Sequence, residues 1–95
     1  MFIICLSYIK DLSEVDKHID DHISYLQKYY SLGKFIISGR KSPRTGGVII
    51  ADCQNKDEAT MIAEEDPFFK NKIANFEIIE FTPTMTCPEF DKFKN

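Results

Sequence analysis

Three short segments of the sequence are apolar at every position, and they set the strongest limit on the fold. Residues 2–6, 35–37 and 48–50 read Phe-Ile-Ile-Cys-Leu, Phe-Ile-Ile and Val-Ile-Ile. A strand of an antiparallel sheet with one face in water alternates apolar and polar side chains, and these segments do not. Both faces of the sheet that they form must therefore be covered, and helices cover only one of them.

Helix and turn signals between these segments complete the pattern. We predict strands at residues 2–8, 34–38, 47–53 and 74–82, helices from Ser13 to about Leu32 and from Asn55 to Asp66, a hairpin-like loop at 39–46 and an irregular piece at 68–72. Gly33 is suited to end the first helix in a left-handed conformation. Asn55 and Glu58 have the spacing of a capping box, and Pro67 disfavours helical geometry in the residue before it.

The resulting element order is β-α-β-β-α-β, which predicts an α+β fold of the ferredoxin-like type. Two helices lie on one face of a four-stranded antiparallel sheet, and residues 1–95 form one domain. A polar and aromatic tail, from about residue 83 to 95, lies on the surface or reaches a partner. The second apolar face is covered by a second copy of the chain, which gives a sheet-to-sheet homodimer. The alternative is a tail that folds back over this face.

Composition narrows the functional classes. The 95 residues carry a formal net charge of −3, so the chain lacks the basic surface that binds nucleic acid. No apolar stretch approaches the length of a membrane span, and the N-terminus lacks the basic region and cleavage site of a secretory signal. Three cysteines without paired spacing favour free thiols in a reducing compartment. We therefore predict a cytoplasmic protein with neither nucleic-acid nor membrane partners.

One histidine of the first predicted helix faces the core. At about 100° per residue, Val15, Ile19 and Leu26 form an apolar stripe, and His22 lies near its centre. Asp66 continues the apolar stripe of the second helix at its end. Because the two helices lie side by side on the sheet, these two residues can meet. A carboxylate beside a histidine fixes its tautomer and suits it to proton transfer, although a lone inward histidine is more often purely structural.

Metal binding is the less favoured use of the histidines. His18 and His22 have the i, i+4 spacing of helical metal ligands. The accompanying glutamate and the third ligand of zinc motifs are missing from this segment. We therefore predict that the protein uses neither a metal nor any other cofactor.

The end of the second predicted strand offers groups for ligand binding. Ser38 is followed by Gly39, and a glycine lets a ligand approach the backbone closely. Arg40 adds a planar fork of donors that matches a carboxylate. We therefore predict that these three residues bind the substrate, although Ser-Gly is usually just a turn. For Arg40, Lys41 and Arg44 together, a solvated hairpin tip is the simpler account.

Taken together, these residues resemble the YCII-related (YciI-like) family over most of the chain, from about residue 2 to 82. The matching features are His22 with Leu26, Gly33, Ser38-Gly39, Gly46-Gly47, Glu58-Ala59 and Asp66-Pro67-Phe68. The resemblance implies a dimeric α+β barrel with an active site around His22 and Asp66. It also implies that Ser38 and Gly39 line the pocket. The family also looks like relatives of muconolactone isomerase and of a dehydrochlorinase in chloroaromatic breakdown.

The functional hypothesis is a small enzyme of lyase or isomerase type that transfers protons without a cofactor. His22 acts as general base or acid, and Asp66 orients it. Ser38, the backbone at Gly39 and Arg40 hold a polar or anionic group of a small organic molecule. Arg40 stands where many members of the resembled family have proline, so their substrates do not transfer to this chain. The alternatives are a non-catalytic module that binds a small metabolite, and a dimer in which the His–Asp pair is only structural.

Overall fold

The structure, a computed structural model, describes all 95 residues and has the predicted α+β architecture. Its elements are β1 (Phe2–Tyr8), α1 (Leu12–Asp16), α2 (Ile19–Ser31), β2 (Phe35–Arg40), β3 (Gly46–Ala51), α3 (Lys56–Glu64), α4 (Pro67–Lys70), β4 (Ala74–Glu80) and a 3-10 helix (Pro88–Phe93). The four strands form one antiparallel sheet in the order β2-β3-β1-β4. This arrangement is a ferredoxin-like fold, as predicted.

Alternation along β1 separates the two faces of the sheet. Phe2, Ile4 and Leu6 are buried against the helices, whereas Ile3 and Cys5 point to the opposite face. The helix side holds a cluster of 16 buried residues: Phe2, Ile4, Leu6, Val15, Tyr25, Tyr29, Phe35, Ile49, Ala51, Cys53, Ala59, Ile62, Ala63, Phe68, Ile73 and Ala74. Removing this apolar set from water is the main source of stability.

The helix-free face of the sheet keeps an apolar surface, as the unalternated strands predicted. It includes Ile3 and Cys5 from β1, Ile50 from β3, and Ile79 from β4, which is 42% exposed. The tail lies beside one end of this face. A shallow groove there is lined by Met1, Ile36, Ile37, Ile50, Phe81, Pro83, Met85, Thr86, Phe90 and Phe93. The alternative expectation, a tail folded back on the sheet, is therefore met in part.

The first predicted helix is in fact two helices. A tight turn at Lys17 and His18 separates α1 from α2, and α1 begins one residue before the predicted cap, Ser13. The His18 amide donates to the carbonyl of Val15, three residues earlier, at 3.0 Å, which is the hydrogen-bond pattern of a 3-10 turn. The prediction of one continuous helix was wrong because the apolar spacing from Val15 to Ile19 continues across the turn.

The second predicted helix is correct at its start and wrong at its end. The Asn55 side chain accepts from the Glu58 amide at 2.8 Å, as the capping box predicted. The helix α3 ends before Asp66, which instead precedes the first residue of α4. The connection predicted as irregular begins with this short helix, because Pro67 is a favourable first helical residue.

The chain turns differ slightly from those predicted. Gly33 follows α2 in the left-handed conformation, with φ at +74°, as expected for a helix stop. β2 extends through Arg40, so Ser38 and Gly39 lie within the strand and the loop is confined to residues 41–45. β3 and β4 each end two residues earlier than predicted.

The three cysteines make no disulfide bonds. All three cysteines are free. Burial raises the pKa of the Cys53 thiol to about 11, so this thiol stays protonated at neutral pH and has the inert character of a core residue.

None of the helices has both the length and the apolar character that a membrane crossing requires.

Candidate active site

His22 and Asp66 meet between α2 and α4. Nδ1 of His22 and Oδ1 of Asp66 lie 2.8 Å apart, within hydrogen-bond distance. An ionised carboxylate only accepts hydrogen bonds, so this contact places the proton of a neutral imidazole on Nδ1 and leaves Nε2 as an acceptor. Nε2 has no hydrogen-bond partner within the protein. The predicted approach of the two residues is therefore confirmed, whereas their role in proton transfer stays a prediction.

Asp66 is built into the start of α4. Its Oδ1 also accepts from the Phe68 amide at 2.9 Å, which caps the helix that begins at Pro67. The side chain is 1% exposed, and Oδ2 is buried without a partner in the protein. A buried carboxylate with one unpartnered oxygen depends strongly on the contacts that it does make. His22 is the only basic side chain within ion-pair distance of this carboxylate.

Aromatic contacts fix the orientation of the imidazole. The rings of His22 and Phe68 stack with their centroids 4.1 Å apart and an interplanar angle of 8°. Tyr8 contacts Phe68 edge-on at 5.8 Å. The buried Tyr25, whose hydroxyl donates to the Ile62 carbonyl at 2.6 Å, lies 6.1 Å from the His22 ring. The imidazole is therefore held by a hydrogen bond at Nδ1 and by packing across its plane.

A cavity of about 350 Å³ lies between α2 and the sheet, beside the pair. His22 and Phe68 belong to its wall, whereas Asp66 lies behind His22 and does not line it. The other apolar and aromatic lining residues are Leu6, Tyr8, Ile19, Leu26, Val48 and Ile49. A volume of this size, mostly apolar with a few polar groups, is typical of a small-molecule site.

The three predicted ligand-binding residues lie on this same cavity. Ser38, Gly39 and Arg40 line it from β2, opposite the helix that carries His22. The Ser38 hydroxyl lies 2.6 Å from the Tyr30 hydroxyl, which fixes its position. Gly39 lies between the two polar residues and contributes its backbone to the cavity wall. The structure brings these residues together with His22, and their binding role stays a prediction.

The cavity wall is positively charged. Arg44 lines it together with Arg40, and the lining residues include no aspartate or glutamate. From outside the cavity, Asp16 accepts from Nη2 of Arg44 at 2.6 Å, and this carboxylate raises the pKa of the Arg44 guanidinium above its usual value. Lys41 does not line the cavity and instead donates to the Ser7 hydroxyl at 3.3 Å. A protein of net charge −3 thus presents a locally cationic cavity.

Three residues at the site were not predicted from the sequence to contact the cavity or His22. Phe68 was noticed as part of a motif, but its stacking on His22 depends on α4, which was not predicted. Tyr8 ends β1 with no pattern that marks it as a cavity residue. Arg44 was assigned to a solvated loop tip, whereas its side chain is 30% exposed and lies on the cavity wall.

The histidine pair considered for metal binding is divided in the structure. His18 precedes the first residue of α2 and does not line the cavity that contains His22. No group of three histidine, cysteine, aspartate or glutamate side chains lies close enough together to hold a metal ion. The His22–Asp66 pair therefore does not include His18, the second histidine of the i, i+4 spacing.

A known protein family matches most of the chain. The YCII-related domain matches residues 1–82. The chain belongs to the YCII-related family. The resemblance found in its motifs is thereby confirmed, and the tail lies beyond the matched region. A search of curated proteins finds no match.

Solved structures include a similar protein from a bacterium. It is 5-chloro-2-hydroxyhydroquinone dehydrochlorinase (TftG) from Burkholderia phenoliruptrix AC1100, in complex with 2,5-dihydroxybenzoquinone. The match has a TM-score of 0.72 at 18% sequence identity, and covers 87% of this YCII-related chain and 95% of the other. At this identity the likeness establishes a shared fold.

Proposed function

We propose that this YCII-related protein is an enzyme of lyase or isomerase type that transfers a proton on a small anionic organic molecule without a cofactor. The observation that carries the proposal is the 2.8 Å contact between Nδ1 of His22 and Oδ1 of Asp66 beside the cavity. Nδ1 contacts a buried carboxylate, so Nε2 is the free nitrogen of the imidazole. The side chain that carries it lines the cavity. A general base needs such a lone pair within reach of its substrate.

The proposed chemistry uses one proton and no external group. Nε2 of His22 takes a proton from the bound molecule, and the imidazolium that forms is stabilised by the Asp66 carboxylate. In an isomerisation the proton returns to another atom of the same molecule. In an elimination the electron pair of the broken C–H bond forms a double bond and expels a leaving group. In the isomerisation the returned proton restores the neutral imidazole, and in the elimination the imidazolium gives its proton to the leaving group or to solvent water.

The cavity indicates the class of substrate. Arg40 supplies a cation with no ion-pair partner within the protein, and Ser38 supplies a hydroxyl beside it. The apolar walls and the stacked rings of His22 and Phe68 suit a flat carbon skeleton. The fold neighbour is named as an enzyme acting on a chlorinated hydroquinone and is complexed with a small ring compound. That neighbour supports a small ring compound as substrate but does not name it.

A binding module is the second candidate. The same cavity would hold a small metabolite and leave it unchanged, and the His22–Asp66 bond would only satisfy a buried polar site. A structural role of the carboxylate favours this reading, because Oδ1 of Asp66 also accepts from the Phe68 amide and caps α4, with or without turnover. The two candidates differ in turnover and agree in binding.

We also propose that the protein acts as a homodimer through the helix-free face of the sheet. The face is apolar on β1, β2 and β3, and two of its isoleucines stay exposed beside the tail, Ile37 at 58% and Ile79 of β4 at 42%. A second copy of the same face would cover it by two-fold symmetry. The cytoplasmic location predicted from the sequence remains a prediction alongside this assembly.

Turnover and binding measured together test the proposal. Small ring acids and hydroxylated ring compounds are screened for product by mass spectrometry, and for binding by calorimetry, with the wild type, His22→Ala and Asp66→Asn. An enzyme gives product with the wild type, and both variants bind but lose turnover. Binding without product in all three proteins identifies the module. Absence of both leaves the pair a structural feature and overturns the proposal.

A further inference from the structure

The cavity contains a second guanidinium that the proposed function does not use. Arg40 belongs to β2 and Arg44 to the loop that follows it, and both side chains line the cavity that His22 lines. Arg40 makes no ion pair, whereas Arg44 is paired with Asp16. A monoanionic ligand would engage one of these two cations and leave the other without a partner in the cavity.

The loop that carries Arg44 is fixed to the end of β1. The Tyr8 amide donates to the Thr45 carbonyl at 2.9 Å, and the Lys41 amide donates to the Gly46 carbonyl at 2.9 Å. A Cβ at Gly46 would lie 1.8 Å from the Leu6 carbonyl oxygen, so only glycine permits this approach of the hairpin to β1. Arg44 therefore extends from an anchored backbone, and its position on the cavity wall is defined by the fold.

The ion pair with Asp16 does not use up the guanidinium. Asp16 accepts one hydrogen bond, from Nη2, and a guanidinium has five N–H donors. The Asp16 side chain is 59% exposed and does not line the cavity, so it holds Arg44 from the solvent side. Ion pairs of this exposure add little stability, so a structural role gives a weak account of the arrangement.

We infer that Arg44 is a specificity residue that makes the cavity prefer dianionic ligands over monoanionic ones. Arg40 takes the first negative charge, and Arg44 takes the second through the donors that Asp16 leaves free. Two separate carboxylates on one skeleton, or a single phosphate group, provide this chemistry. The inference rests on the proposed anionic substrate and adds the number of charges that the substrate carries.

Matched ring compounds test the inference by calorimetry. Benzoate carries one charge, isophthalate carries two separate carboxylates, and phenyl phosphate carries close to two charges on one group at about pH 8. The wild type is expected to bind at least one of the two dianions about tenfold more tightly than benzoate, as one charge-assisted contact implies. Preference for isophthalate alone indicates two carboxylates, and preference for phenyl phosphate alone indicates one group held by both arginines.

Two variants separate a specificity role from a surface ion pair. Arg44→Gln is expected to remove the preference for dianions while benzoate binding changes less than about twofold. Asp16→Asn, which breaks the same ion pair from the other side, is expected to keep or increase the preference, since it frees the guanidinium and removes a nearby negative charge. An unchanged preference in Arg44→Gln, equal losses in both variants, or no preference in the wild type overturns the inference. Thermal melting of both variants verifies that they are folded.

The result is separable from the test of proton transfer. If benzoate binds through Arg40 and Arg44→Gln has no effect on the preference, the inference about Arg44 fails and the role of His22 is untouched. If the preference is found but no panel compound is turned over, the inference about Arg44 stands and the protein is a module that binds dianions.

Discussion

The imidazole of His22 and the carboxylate of Asp66 form a hydrogen bond of 2.8 Å, and the carboxylate is almost completely buried behind the histidine. This order has a chemical consequence, because the histidine stands between the carboxylate and the cavity. A ligand in the cavity can reach the imidazole, while Asp66 acts through it. In the proposed mechanism Asp66 orients the histidine, and the two residues come from α2 and from the cap of α4.

The stability of the protein is expected to depend on this pair. In His22→Ala the buried Asp66 keeps one hydrogen bond, from the Phe68 amide, so the free energy of unfolding is expected to fall by about 3 kcal/mol. His18→Ala is the control, since His18 makes no side-chain cap, and its effect is expected to stay within about 0.5 kcal/mol. Urea unfolding measures both. Adding Asp66→Asn to His22→Ala is expected to cost less than the sum of the single changes, and strict additivity would show that the pair is not coupled.

Helix pairing on the sheet explains why so much of this was foreseeable. The strand and helix order fixes a ferredoxin-like sheet, and the helical period places His22 on the inward face of α2. A residue on the inward stripe of the other helix must then lie near it, which identified Asp66. The prediction was correct for the contact although Asp66 belongs to the cap of α4 rather than to the helix assigned to it.

The remaining errors have a common cause in backbone changes that leave the side-chain pattern intact. Val15 and Ile19 are spaced as on one helix, so the turn at Lys17 and His18 leaves no trace in apolar periodicity. The position of Arg44 depends on how the hairpin folds against β1, which is a long-range contact that no local pattern encodes. A charged residue in a loop is predicted from sequence to face solvent, whether or not its side chain lines a cavity in the fold.

The proposed dimer predicts a response to charge on the helix-free face. Ile79→Lys places an ammonium on the apolar helix-free face, within the proposed sheet-to-sheet contact, so it is expected to convert a dimer, with twice the chain mass of 11.0 kDa, into a monomer. Ile23→Lys on α2 is the control, because Ile23 is 44% exposed and Ile79 is 42% exposed. Size-exclusion chromatography with light scattering gives the masses. A wild-type monomer at micromolar concentration would show that the tail alone protects the face.

Acid stability is expected to depend on Glu58. The Glu58 carboxylate accepts from the Lys34 ammonium at 3.0 Å and from the Gln54 backbone amide at 3.1 Å. These two bonds hold the pKa of Glu58 below its usual 4.5. A carboxyl group whose pKa is lower in the folded state stabilises the fold above its unfolded pKa, and this contribution is lost as pH falls through the folded pKa.

Glu58→Gln is therefore expected to make the loss of stability below about pH 4.5 shallower, because the amide does not titrate. Urea unfolding between about pH 7 and about pH 3 measures this slope. Glu64→Gln is the control, since Glu64 lies on the same helix and makes no ion pair. Identical slopes in the wild type and Glu58→Gln would contradict the assignment.

Anion binding is expected to depend on Arg40. A thermal-shift comparison of benzoate with benzamide should show a larger stabilisation by benzoate in the wild type, and Arg40→Ala should weaken benzoate binding by about tenfold. Lys41→Ala is the matched control, because Lys41 is the next cation in the chain and does not line the cavity. If both variants respond alike, or if benzamide stabilises the wild type as well as benzoate does, Arg40 is a surface residue.

Proton transfer at His22 is the central claim, and hydrogen exchange tests it most directly. Anionic ring compounds that bind and carry a C–H next to a carbonyl are incubated with the protein in D2O, and deuterium incorporation at that carbon is followed by NMR. The wild type is expected to accelerate exchange, and His22→Ala is expected to slow it by about 10²–10⁴-fold while still binding the compound. Exchange at the wild-type rate in His22→Ala, or no exchange in a wild-type complex whose ligand is bound, would contradict the account.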